Sequence, residues 1–140
     1  MSKAFRDKDL LIIGSLIEKE GLDITDKRKI SSVIQNRLNK NMKLQIDATV
    51  LYAVTNGNYD LDRALTYEDL KIEHDYNTYK IIGLPPKPIS YVGTKTIDII
   101  NEGYKSDFLF YFYNKSLNKH IFSKNYEDHK TRLYEYRKQK

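Results

Sequence analysis

The chain contains no cysteine. That excludes disulfides, thiolate catalysis and Cys-based metal sites, and it leaves the redox compartment open. Glycine is scarce, at six in 140 residues. No GxGxxG, GxxxxGK[ST] or GxSxG pattern occurs, so neither a phosphate-cradling loop nor a nucleophile elbow is evident. No apolar run approaches the roughly 18 residues that a membrane span needs. Leu10–Ile13 is far too short and is not flanked like a signal peptide. His74, His120 and His129 are the three histidines. None pairs with another at i, i+4 or sits in HExxH, so no metal or cofactor is expected. His120 reads as a half-buried strand residue, and Ser15 has no visible base.

Hydrophobic residues make up 40% of the chain and charged residues 31%. This composition predicts one globular, soluble domain with a real core. The net charge of +5 suits a polyanionic partner. However, the excess is spread over scattered lysines and the tail Arg132, Arg137, Lys138 and Lys140. A Lys-, Asn-, Ile- and Tyr-rich genome would give the same balance.

Periodicity predicts a first helix over residues 8–20, stopped by Gly21. A second carries Ile30, Val33, Ile34 and Leu38, with Thr25 or Asp26 as its cap. Asp47 reads as the N-cap of a third helix, ATVLYAV, ending near Asn56-Gly57. Thr66–Asp69 resembles a capping box. Residues 74–90 hold all three prolines, yet Tyr76, Tyr79, Ile81, Ile82, Leu84 and Ile89 give them apolar mass. They predict a long ordered loop that packs on something or lines a cleft. Thr94 can cap another helix that runs to about Gly103. DFLFYFYNK and NKHIFSK read as a hairpin turning at Ser116-Leu117-Asn118. A last helix spans about Tyr126–Arg137, capped by Ser123 or Asn125. The class is α+β: a mainly helical domain with a small antiparallel β-hairpin.

On the first helix, with Leu10 at zero, Ile13 falls at about 300°, Leu16 at about 240° and Ile17 at about 340°. Glu20 falls at about 280°, inside that apolar stripe, and Glu18 at about 80°, on the polar side. Glu18 is therefore expected to be solvated and ordinary. Glu20 is expected to be desolvated, which raises a carboxyl pKa and suits a general acid. On the pattern alone a structural Glu, snorkelling or paired with a buried Arg, stands beside that reading. Arg37 faces the core side of the second helix and needs a carboxylate or carbonyl partner, with Glu20 and Asp47 as candidates. A lone acid, no metal and an aromatic, Asn/Tyr-bearing loop fit carbohydrate chemistry better than peptide or phosphoryl chemistry.

The strings SLIEKEG (15–21), SSVIQNRLNKNMKLQIDATVLYAV (31–54), YNTYKIIGLPPKPIS (76–90) and DFLFYFYNKSLNKHIFSKNYEDH (107–129) resemble the catalytic domain of the MltG/YceG-like endolytic murein transglycosylases. The resemblance covers roughly residues 8–136 and keeps the order of several motifs. It implies a lyase that cuts peptidoglycan strands between MurNAc and GlcNAc without water, leaving a 1,6-anhydro-MurNAc end. It implies that Glu20, the second Glu of EKE, is the acid/base on a catalytic helix near the N-terminus. The wheel selects the same residue independently. It further implies a cleft with Gln45 and Asp47 of LQIDATV, Tyr76, Asn77, Thr78 and Tyr79 of YNTY, and Arg37 of NRL, although for Asp47 helix capping is the favoured role.

Ile46 and Ala48 replace the family's Thr and Pro around Asp47, and Lys87 replaces a Gly after the double proline. The family's N-terminal membrane helix and LysM-like domain have no counterpart in the chain. The expectation is a single catalytic domain, 1–140, either excised or naturally short. Its partners would be glycan strands and wall-synthesis proteins at the outer face of the bacterial cytoplasmic membrane, with no nucleic acid expected. Two other classes stay open: a catalytically silent glycan-binding module of the same fold, and a basic nucleic-acid-binding domain.

Overall fold

A computed structural model describes residues 7–139. Its elements run α1 (Asp7–Glu20), α2 (Ile24–Asn39), α3 (Asp47–Thr55), a single 3-10 turn (Asp69–Lys71), α4 (Thr94–Glu102), β1 (Phe110–Asn114), β2 (Lys119–Ser123) and α5 (Tyr126–Lys138). The α+β expectation holds. So do the ordered loop and the Thr66–Asp69 capping box, in which each backbone N–H meets the other's side chain.

The apolar stripes converge as their spacing requires. Ile13, Leu16 and Ile17 of α1 meet Ile30 and Ile34 of α2, Ile100 of α4, and Leu44, Ile46 and Ile89 from the connections. Removing side chains of this size from water contributes about 1.5–3 kcal/mol each. Gly14 lets α1 approach the 84–93 segment: a Cβ there would lie 2.6 Å from Val92 Cγ1.

Three helix starts differ from expectation. Asp23, extended and accepting from Asp26 N at 2.8 Å, caps α2, so Thr25 and Asp26 lie inside the first turn. Gly93 precedes α4 without a side-chain cap, and Thr94 is its first helical residue. Asp47 likewise begins α3 rather than capping it; the N-cap is Ile46. Glu18 is also not a solvated bystander. It accepts from Gly93 N at 2.6 Å and from Lys27 Nζ at 2.9 Å. The Gly93 N–H chiefly, with Lys27, holds its carboxyl below the ordinary value.

The long connection before α4 is ordered by side chains that take the place of a backbone ladder. Asn77 is fully buried. It donates to Leu70 O and Ile72 O at 3.0 and 2.8 Å and accepts from Tyr79 N at 2.9 Å. Thr78 Oγ1 accepts from Ile46 N at 2.8 Å and meets Thr49 Oγ1 at 2.8 Å. Ser15, buried in α1, accepts from Ile89 N at 3.0 Å.

The hairpin pairs Tyr111 with Phe122 and Tyr113 with His120. Asn36 ties it to α2 by donating to Ser106 O and Phe108 O at 2.8 and 2.9 Å. Arg132 of α5 donates to Phe122 O and Ser123 Oγ, both at 2.8 Å. Asn125 caps α5.

Thr78→Val keeps the shape but leaves the Ile46 N–H buried without an acceptor. We expect a loss of about 1–3 kcal/mol, read by urea unfolding with an unchanged m-value. A loss under about 0.3 kcal/mol would refute the clamp assigned to Thr78.

Candidate active site

Glu20 is the last residue of α1, and its half-buried side chain faces a cleft of about 450 Å³. The cleft also touches Arg37, Gln45, Asp47, Tyr79, Tyr111 and His120, and runs on past Phe112 and His129 to Arg137 of α5. Tyr111 donates its hydroxyl to Glu20 Oε1 at 2.9 Å. Among the described residues no Lys or Arg pairs with Glu20.

Burial first, then the charges of Asp47 and Asp26, push the Glu20 carboxyl above its ordinary value; the Tyr111 hydrogen bond and His120 work against this. The C-terminal end of α1 adds the negative end of a helix dipole, which also disfavours the carboxylate. Tyr111 itself is raised well above the usual phenol range by burial and by Glu20, so its hydroxyl stays a donor. With Oε1 accepting from Tyr111, Oε2 is the oxygen left without a protein partner at the cleft.

Arg37 is only 7% exposed. It pairs with neither Glu20 nor Asp47. Its Nε donates to Leu109 O at 2.7 Å and its Nη1 to Lys43 O at 2.7 Å and Leu44 O at 3.3 Å, with the guanidinium over the Phe110 ring. Carbonyls satisfy it because the chain before β1 and the chain after α2 both pass within its reach.

Asp47 is free of the capping role because it is the first helical residue of α3, not its N-cap, and no side-chain cap bond forms. Its Oδ1 accepts from Tyr79 Oη at 2.6 Å. Gln45 sits at φ +52, a left-handed conformation costing about 1–2 kcal/mol in a non-glycine residue. The Gln45 N–H bonds to Thr78 O at 3.2 Å, which holds it there beside the cleft.

The structure thus brings Glu20, Arg37, Gln45, Asp47 and Tyr79 together. It does not bring Tyr76, Asn77 or Thr78 into the cleft. Tyr76 stacks on Tyr52 at 4.8 Å, and Asn77 and Thr78 spend their polar atoms on backbone and on Thr49. They build the wall from which Tyr79 projects.

Sequence reasoning missed Tyr111 and set His120 aside. His120 Nδ1 meets Asp26 Oδ2 at 2.8 Å, and the same oxygen accepts from Leu22 N at 2.9 Å. The hairpin is thereby joined to the turn that follows Glu20. Alternation in FYFYN does place Tyr111 and Tyr113 on one strand face; nothing local says that this face meets α1.

A desolvated carboxyl pushed above its ordinary value in an open cleft, on an α+β domain without a metal-ligand cluster among the described residues, defines a candidate acid site. The YceG-like family model matches residues 2–135, and the chain belongs to that family. It is 45% identical over 120 residues to the endolytic murein transglycosylase of Bacillus subtilis (strain 168), covering 86% of this chain and 32% of that protein. It is 34% identical over 136 residues to the endolytic murein transglycosylase of Streptococcus pneumoniae serotype 2, covering 96% and 25%. The crystal structure of a YceG-like protein from Listeria monocytogenes superposes with a TM-score of 0.78 at 40% identity, over 89% of this chain and 39% of that one. The chain therefore spans about a quarter to a third of the curated relatives it matches.

Arg37→Ala strands three carbonyls and loosens both cleft walls. A loss of about 2–4 kcal/mol is expected in denaturant unfolding. Arg37→Lys should recover less than half of it, since an ammonium cannot span the same fork.

Proposed function

We propose that this chain cleaves peptidoglycan glycan strands internally as a lytic transglycosylase, with Glu20 as the acid and then the base. The observation that carries this reading is the Glu20 carboxyl itself: desolvated, at a helix C-terminus, gripped on one oxygen by Tyr111 and open to the cleft on the other. The names borne by the Bacillus and Streptococcus relatives support the substrate class.

Neutral Glu20 donates its proton to the glycosidic oxygen as the bond to MurNAc C1 breaks toward an oxocarbenium-like state. The 2-acetamido group of the same sugar assists from the opposite face. Glu20, now a carboxylate, takes the proton of the C6 hydroxyl as that oxygen closes on C1. The product is a 1,6-anhydro end, and no water enters. Gln45, Asp47 and Tyr79 meet the sugars, while Arg37, Asn77 and Thr78 hold the backbone that presents them. The natural setting of this chemistry is the outer face of the cytoplasmic membrane, beside the enzymes that build the wall. Among the described residues no helix is long and apolar enough to cross a membrane.

Glu20→Gln should lower release of anhydro-muropeptides from purified sacculi by about 10²–10⁴-fold, measured by chromatography and mass spectrometry. Sedimentation with sacculi should persist. Release equal to wild type would sink the role of Glu20. Binding without release by both proteins would leave a silent glycan-binding module.

The same variant makes a stability prediction. A raised folded-state pKa favours the fold while Glu20 is protonated, and this contribution fades as pH rises through the folded value. Glu20→Gln should therefore melt higher than wild type at about pH 8, with the gap closing toward about pH 4.

A further inference from the structure

We propose that the arm of the cleft from Phe112 and His129 to Arg137 holds the acidic peptide branch of the glycan strand. Arg137 takes a carboxylate of that branch, so the site selects strands that carry their peptides over strands stripped of them. This inference deepens the reading of the cleft given above and rests on it.

The two ends of the cleft differ in chemistry. Glu20, Gln45, Asp47 and Tyr79 stand at one end, with the donors and acceptors that suit sugar hydroxyl and amide groups. Phe112, Tyr126, His129, Leu133 and Arg137 line the other. That end has no acid and no side-chain amide in its lining. The edge of a sugar ring would find few partners there. Small apolar side chains followed by a carboxylate would find a floor and a cation.

Helix α5 sets the length of the arm. His129, Leu133 and Arg137 recur every four residues, which places them along one stripe of the helix. Eight helical residues rise about 12 Å. An extended chain covers that distance in about three to four residues. A short peptide leaving the sugar near His129 therefore ends within reach of Arg137.

Two groups in this arm lack partners. Every other described arginine is engaged: Arg28 by Glu102, Arg63 by Asp69, and Arg37 and Arg132 by backbone carbonyls. The Arg137 guanidinium makes no hydrogen bond or ion pair among the described residues. His129 Nδ1 is buried and meets no donor or acceptor, alone in this among the described residues. Burial first, then Arg37 and Arg137, hold the imidazole below its ordinary value, so the ring stays neutral and adds no competing charge. Buried polar atoms are rarely left unsatisfied, and in a cleft wall a peptide group of the ligand can complete them. Arg137, with a planar fork and no acid of its own, is matched to a carboxylate.

The test uses the full chain and soluble glycan strands in two forms. One form keeps its peptides. The other is treated with an amidase that cuts the bond between the lactyl group and the peptide. Wild type should favour the peptide-bearing strands by at least about 10-fold in kcat/KM, the scale of one charge-assisted hydrogen bond. Arg137→Gln should shrink that ratio below about 3-fold, mainly through KM, because the arm lies away from the bond that breaks. Arg137→Lys should keep part of the preference, as a point charge without the fork. Arg28→Gln removes the same charge from a site outside the cleft and should leave the ratio as in wild type.

Wild-type turnover of both strands within about 3-fold would overturn the proposal. So would an unchanged ratio in Arg137→Gln, or an equal loss of the ratio in Arg28→Gln, which would reduce the effect to net charge. Binding of labelled strands to Glu20→Gln, read by fluorescence anisotropy, separates this inference from the catalytic reading. Tighter binding of peptide-bearing strands that depends on Arg137, with no anhydro ends released by wild type, would sink the transglycosylase reading and leave the arm standing. Active wild type without any preference would sink the arm alone.

Discussion

One buried guanidinium sets both walls of the cleft. Arg37 leaves α2 pointing inward and binds Leu109 O on one side and Lys43 O and Leu44 O on the other. Leu109 is two residues from Tyr111, and Leu44 is one residue from Gln45 and three from Asp47. An error in either anchor moves the tyrosine that grips the acid or the carboxylate that faces it. A misplacement of about 1 Å is enough to cost a site most of its rate. Burying that charge is tolerable because the fork is satisfied by carbonyls and lies against the Phe110 ring.

The second constraint is the way the long loop is ordered. Without strands or helices to absorb its backbone groups, the connection uses Asn77 and Thr78 as substitute ladders, Asn77 closing bonds within the loop and Thr78 tying it to Ile46. These two residues serve the site indirectly. They fix Tyr79 and hold the left-handed Gln45, so the residues that do face the cleft are presented by a rigid frame.

The site itself is a study in opposed environments. Glu18 and Glu20 are two residues apart on one helix. Glu18 meets a backbone N–H and a lysine and is held ionised. Glu20 is desolvated by burial and meets a phenol and the field of other acids, and its carboxyl is pushed upward. Asp26 and Asp47 divide in a parallel manner, one bonded to the turn and the hairpin, the other left to the cleft. Which carboxylate braces the fold and which is left to the cleft follows from what each one is already bonded to.

Periodicity alone determined a great deal here. The stripes of α1 and α2, the hairpin and its turn, the glycine and asparagine stops, and the inward direction of Glu20 and Arg37 all follow from spacings within one element, where 3.6- and 2-residue repeats dictate the facing. Partner choice was out of reach. That Arg37 takes carbonyls instead of Glu20, that Tyr111 and not an arginine holds the acid, that Asn77 and Thr78 are wall and not contact, and that Asp47 is bonded to Tyr79 instead of capping all depend on how irregular or separate segments meet. Such contacts leave no periodic trace in the chain. They exist because the elements, once packed, bring particular backbone groups within hydrogen-bond reach, and only the tertiary structure decides which side chain meets that demand first.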